Sequence, residues 1–149
     1  MVTLAAADGS CIGNPGPGGW GWVTAEARRG RGASRRTTNN IMELRAVLEL
    51  LRATDPGDPL VIQTDSAYVV GAFTEWLARW KLNGMRTAAK KPVENAALIA
   101  RIADALEARE VTFEKVPGHA GHALNEQADA LAQAAARYAA SWVAQNGQL

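Results

Sequence analysis

At 149 residues the chain suits one domain with a sizeable core, and 16 Lys+Arg against 15 Asp+Glu leave a formal net charge of +1 that by itself marks no nucleic-acid binder. A single cysteine, Cys11, excludes an internal disulfide and a cysteine-based zinc site and fits a reducing compartment. No apolar stretch approaches the ~20 residues of a membrane span, and the N-terminus MVTLAAADGS lacks a basic region before its short apolar run. A cytoplasmic domain is expected. The charge is unevenly spread, however. Residues 28–36 carry five arginines and no acid, and residues 79–91 carry five cations and no acid. Such segments are either solvated loops or phosphate-binding faces.

In chain order, Val2 to Ala7 reads as a buried strand ending at Asp8. The glycine-rich stretch after it suggests a wide turn. Trp20, Trp22 and Thr24 then share a strand face, and a meander of second and third strands runs to about Thr37. From Asn39 the period changes: Ile41, Leu44, Val47, Leu48 and Leu51 predict a helix to about Thr54. After the turn cluster 55–59, Leu60-Val61-Ile62 predicts a central parallel strand leading to Asp65. Ser66 to Trp80 reads as one helix, followed by a basic, glycine-containing excursion. Pro92 suits the first turn of the next helix, with Ile99, Ile102 and Leu106 on its buried face. Glu110 to Val116 is expected as a strand, GHAGHALNEQ as a loop, and about Asn125 to Val143 as an alanine-rich helix. The order β-β-β-α-β-α-α-β-α implies an α/β domain with a mixed sheet, an antiparallel meander joined to parallel strands. One domain, 1–149, is expected, and the order of the tail from about 141 is left open.

The glycines Gly16-x-Gly18-x-x-Gly21 match a dinucleotide fingerprint in spacing only, because a strand and not a helix should follow. A phosphate-binding P-loop fails too, since Gly18 is followed by Gly19-Trp20. The acids are more informative. Asp8 and Asp65 end strands that would be neighbours, opening into one crevice. Glu43, in the first turn of its helix, and Asp129 each border an apolar stripe and can face the sheet. Four converging carboxylates repel unless cations neutralise them, and a hard oxygen donor set favours Mg²⁺ or Mn²⁺. His119 and His122 lack a third nitrogen or sulfur ligand nearby, so a proton carrier fits better than zinc. Trp76 and Trp80, four apart on one helix face, serve either the core or a nucleic-acid strand.

The segments DGSCIGNPGPGGWG, TTNNIMEL, TDSAYVV, KKPVEN and VPGHAGHALNEQADALA stand in the order and spacing of type 1 ribonuclease H, bacterial form. The chain resembles that family from Val2 to about Ala136. The resemblance implies a ribonuclease H-like fold, a five-stranded mixed sheet flanked by helices. It implies an endonuclease that cuts the RNA strand of RNA/DNA hybrids, leaving 5′-phosphate and 3′-hydroxyl ends. The implied metal ligands are Asp8, Glu43, Asp65 and Asp129, holding two Mg²⁺ ions, for which Mn²⁺ may substitute; the implied proton carrier is His119. Ser10, Cys11, Gly13 and Asn14, with Asn39 and Asn40, resemble the family's readers of RNA 2′-hydroxyls. Arg36, Thr38 and Asn95 resemble its pocket for a DNA-strand phosphate. Trp76, Trp80, Lys81, Arg86, Lys90 and Lys91 resemble its basic protrusion along the DNA backbone. A monomer is expected. Met85, Ala67 and Glu94 depart from the family pattern and point to a weaker grip on the hybrid. The alternatives are a hybrid-binding module that cuts nothing, a DNA-acting relative of the same fold, and a plain structural domain.

Overall fold

In the computed structural model, which describes residues 2–118 and 120–147, the glycine-rich N-terminal stretch builds strand and only a short turn. Strand β1 spans Thr3–Cys11 and β2 spans Gly16–Thr24, antiparallel, with Asp8 opposite Gly21 and Cys11 opposite Gly18. The wide turn expected from sequence shrinks to residues 12–15. The reason is packing from a distant element. A Cβ on Gly21 would lie 2.7 Å from the Leu131 Cβ and 2.8 Å from the Ala128 carbonyl, so the C-terminal helix rests directly on the strand. Strand β3, Arg29–Thr37, pairs antiparallel with β2, and its Gly30 and Gly32 lie against the indoles of Trp22 and Trp20. A bare glycine opposite a large ring lets the ring cover the neighbouring strand.

Helix α1, Asn39–Ala53, begins at Thr38, whose hydroxyl accepts the Ile41 N–H at 3.2 Å. That bond answers one of the donors a helix start leaves unpaired. Its apolar stripe buries Leu44, Val47, Leu48 and Leu51 against the sheet, as the periodicity predicts. Strand β4, Leu60–Thr64, runs parallel to β1 on one side and to β5, Val111–Lys115, on the other. The sheet order is β3-β2-β1-β4-β5, a meander joined to parallel strands.

The single helix expected over 66–80 is interrupted. Helix α2, Ala67–Gly71, passes through a π-helical turn, Ala72–Trp76, into α3, Leu77–Leu82. The wider turn lays the Trp76 indole on Gly71, where a Cβ would sit 2.6 Å from the ring. Pro92 does not open the next helix. It bridges Arg86, and the buried Val93 donates its N–H to the Met85 carbonyl at 2.9 Å, which anchors the excursion. Asn95, left-handed at φ 59°, then separates that anchor from α4, Ala96–Leu106. Helix α4 buries Ile99, Ile102 and Ala103 beside α1.

Helix α5, Ala123–Asn146, extends beyond the expected range at both ends and is helical through residues 141–146. Its sheet-facing residues Ala128, Ala132, Ala135, Ala136 and Ala139 are small, which permits the close approach to β2. The core thus has two layers, one under α1 and α4 and one under α5.

Candidate active site

The parallel ladder between β1 and β4 ends at Ala6 opposite Gln63, and beyond it the two strands part. Asp8 lies two residues farther along β1, and Asp65 directly follows β4. Ligands of open α/β sheets bind in such openings beyond the carboxyl ends of parallel strands. Glu43 comes to the same opening because α1 lies directly on β1. A Cβ on Gly9 would sit 2.5 Å from the Met42 carbonyl carbon and 2.9 Å from the Met42 Cβ, so only glycine allows this approach.

The Gly9 N–H donates to Glu43 Oε1 at 2.7 Å and to Asp8 Oδ1 at 2.9 Å. One carboxylate oxygen each from Asp8, Glu43 and Asp65 lies within 4.8 Å of the others. Asp8 and Glu43 are buried, 3% and 4% exposed, while Asp65 and Asp129 are half-buried. Asp129, on the first turns of α5, adjoins Asp8 and accepts from Gln133 Nε2 at 2.9 Å. It flanks the trio of Asp8, Glu43 and Asp65.

Burial, then the Glu43 charge beside it, pushes the Asp8 carboxyl far above the usual carboxylate range. Burial also raises Glu43, against the lowering effect of hydrogen bonds from Asp8 and Gly9. With no positive side chain among these contacts, the pair relieves its repulsion by sharing a proton or by taking up a cation. Glu43 Oε2 favours the cation, because it is buried with no hydrogen-bond partner among the described residues while Oε1 is held by Gly9. An all-carboxylate donor set with an orphaned oxygen fits a hard divalent ion.

The expected substrate-binding residues fall into three places. The β1–β2 turn meets the start of α1, where Asn14 Oδ1 accepts the Asn39 N–H at 3.1 Å. This draws Gly13 and Asn14 toward Asn39 and Asn40, one turn of helix before Glu43. Ser10 is half-buried in β1. Cys11 directs its Sγ toward the Gly13 carbonyl at 2.8 Å, so the thiol is engaged within the loop. Arg36 and Thr38 flank the β3–α1 junction, with the Thr38 hydroxyl committed to the helix cap. Asn95 donates from Nδ2 to the Tyr68 hydroxyl at 3.3 Å, and no hydrogen bond joins it to Arg36 or Thr38. Trp76 and Trp80 pair with ring centroids 5.8 Å apart, and Trp80 also packs against the core. Lys81, Arg86, Lys90 and Lys91 are exposed beyond them, and Arg86 Nη1 donates to the Lys90 carbonyl at 3.1 Å.

His119 lies outside the described residues. Its neighbour Gly118 stands against the site, since a Cβ there would be 2.8 Å from Asp65 Oδ2. Sequence reading missed Gln133, which holds Asp129. It also missed Asn125, buried one turn before Asp129 with Nδ2 unpaired among the described residues. A polar residue inside the apolar stripe of α5 was the available signal for Asn125; Gln133 carried none.

A mixed sheet with buried carboxylates where its parallel strands part is the arrangement of a cation-dependent hydrolase. The model of the RNase H family matches residues 2–137, and the chain belongs to the ribonuclease H family. The ribonuclease H of Roseobacter denitrificans is 46% identical over 140 residues, covering 88% of this chain and 93% of the relative. The ribonuclease HI of Streptomyces coelicolor is 48% identical over 140 residues, 89% of this chain, but the chain spans only 61% of that protein. Among solved structures, LC9-RNase H1, a type 1 RNase H with the type 2 active-site motif, superposes with a TM-score of 0.82. It is 33% identical, over 96% of this chain and 81% of its own.

Proposed function

We propose that this protein hydrolyses the RNA strand of RNA/DNA hybrids as a monomer, with Asp8, Glu43, Asp65 and Asp129 holding Mg²⁺. The observation that carries this reading is the trio within 4.8 Å with one buried oxygen on Glu43 that has no partner among the described residues. Family membership and relatives named ribonuclease H support the substrate class. Bound divalent ions would supply a nucleophilic water at neutral pH and positive charge near the departing 3′ oxygen. In the reaction water adds to phosphorus, the P–O3′ bond breaks, and the 3′ oxygen gains a proton, leaving 5′-phosphate and 3′-hydroxyl ends.

The chain's own residues do the rest. Gly9 fixes one oxygen of Glu43 and leaves the other to face the site. Gln133 orients Asp129. His119 follows Gly118, whose backbone abuts Asp65, and serves as the proton carrier. Ser10, Cys11, Gly13, Asn14, Asn39 and Asn40 read 2′-hydroxyls on the RNA strand, mostly through backbone and amide groups. Arg36, Thr38 and Asn95 take a phosphate of the DNA strand. Trp76, Trp80, Lys81, Arg86, Lys90 and Lys91 follow its backbone, contacts that carry little sequence information.

The test offers the protein labelled RNA/DNA, RNA/RNA, DNA/DNA and single-stranded RNA, with Mg²⁺ or EDTA, beside Asp8→Asn. Cleavage of the hybrid's RNA strand alone, lost with EDTA and in the variant, is expected. Hybrid binding without cleavage would replace the enzyme by a binding module.

A further inference from the structure

Of the first basic segment of the sequence, residues 28–36, only Arg36 has a place in the proposed reaction. Arg29, Arg31 and Arg35 recur at a period near two along β3, all exposed. The indoles of Trp20 and Trp22 occupy the opposite face at Gly32 and Gly30, so these arginines stand on the α5 side of the sheet. None of them makes an ion pair; among the described residues the ion pairs are those of Glu49 with Arg45 and Arg52. Arg35 instead stacks its guanidinium 4.7 Å above the Trp142 ring.

Between this arginine row and α5 runs a shallow groove. Three depressions of about 200, 320 and 280 Å³ follow one another along it, the last two sharing Ala33 and Tyr138. No acid lines any of them. Arg29 to Arg35 spans about 20 Å of strand, and Gln127 to Trp142 spans about 22 Å of helix, so strand and helix flank one continuous trough. Apart from Gln127 at one end, the α5 wall is apolar, formed by Ala130, Leu131, Ala134, Trp142 and the 68%-exposed Tyr138. Among the described residues the outer side of β3 has no neighbouring strand.

We infer that the outer edge of β3, with the arginine row beside this groove, is a docking site for an acidic peptide segment that adds to β3 in extended conformation. An edge strand offers alternating N–H and C=O groups, and only a peptide answers both. A DNA backbone brings acceptors alone, an RNA backbone adds only its 2′-hydroxyls as donors, and neither offers a side chain to the apolar wall. A second copy of this chain is disfavoured, because β3 against β3 would set arginine opposite arginine. On the α5 face of an added strand, alternate side chains fall beside Arg29, Arg31, Ala33 and Arg35, so carboxylates suit three of these positions and the one beside Ala33 adjoins Tyr138.

The probe is a fluorescein-labelled decapeptide of alternating glutamate and valine, followed by fluorescence anisotropy on the full chain. Controls are the lysine–valine peptide, a peptide with the same glutamates and valines in two blocks, and a short DNA duplex. The alternating acidic peptide should bind at least about tenfold more tightly than either peptide control, more weakly as salt rises. Its binding should protect β3 amides from hydrogen exchange. The double variant Arg31→Glu/Arg35→Glu should weaken it at least about tenfold while hybrid cleavage stays within about twofold of wild type, which reports an intact fold. Absent binding, equal binding of the block peptide, or competition by the duplex that depends on Arg31 and Arg35 would each overturn the assignment.

Discussion

Asp8 and Glu43 are buried side by side, and the fold holds them there against their repulsion through the single amide of Gly9. The cost of that arrangement has a definite pH signature. Both carboxyls sit above their ordinary values of 3.8 and 4.5 in the folded chain. A raised acid favours folding fully below its unfolded value and loses that contribution as pH climbs through the folded value. Metal-free protein should therefore lose stability, relative to Asp8→Asn, as pH rises from about 4 toward 8. At neutral pH and in EDTA, Asp8→Asn should be the more stable by at least about 1 kcal/mol, or roughly 2–4 °C in Tm. Thermal melts of both proteins across that range check this. A wild type that gains on the variant with rising pH would mean that the two carboxyls are not in contact. Added Mg²⁺ should reverse the order, since only the intact site gains from the ion.

Asp129 is placed by an element, and that element rests on glycines. Helix α5 lies so near β2 that a methyl at Gly21 meets the Leu131 Cβ and the Ala128 carbonyl, next to Asp129 in the chain. Gly21→Ala must push the helix outward. It should cost about 1–3 kcal/mol, the range of overpacked cores, and lower kcat for the folded fraction while leaving KM for the hybrid nearly unchanged. Gly57→Ala, in an exposed turn where the nearest atom stands at 3.4 Å, should stay within about 0.5 kcal/mol of wild type. Equal effects of the two substitutions would deny the helix its positioning role. The same packing explains what sequence reading reached and what it did not. Period alone exposed α1, because its stripe of Leu44, Val47, Leu48 and Leu51 is local. The four acids stood out because strand ends and helix starts are local signals too. The glycines of β2 read as a turn because their reason lies in a helix a hundred residues later. The π turn at Ala72–Trp76 and the anchor of Val93 on Met85 likewise answer to tertiary contacts that no window of sequence contains.

For the molecule as a whole, a net charge of +1 conceals two basic faces with different work. Lys90 and Lys91 are exposed on the excursion and form no ion pair among the described residues, so their charge is available to a phosphate backbone. Binding through phosphates releases counterions, and log K falls with log salt in proportion to the contacts made. Lys90→Ala/Lys91→Ala should weaken hybrid binding and flatten that slope by roughly 1–2, with kcat at saturating hybrid unchanged because neither side chain reaches the carboxylates. The arginines of β3 supply the comparison. They stand on the α5 side of β3, an edge strand that β2 separates from the point where β1 and β4 part, so Arg31→Glu should leave the salt slope of hybrid binding as it is. Binding isotherms at four salt concentrations for the three proteins separate the faces. An unchanged slope in the lysine variant would remove the excursion from the substrate path. A flattened slope in Arg31→Glu would instead bring β3 into it and take from the groove its reason to await an acidic peptide.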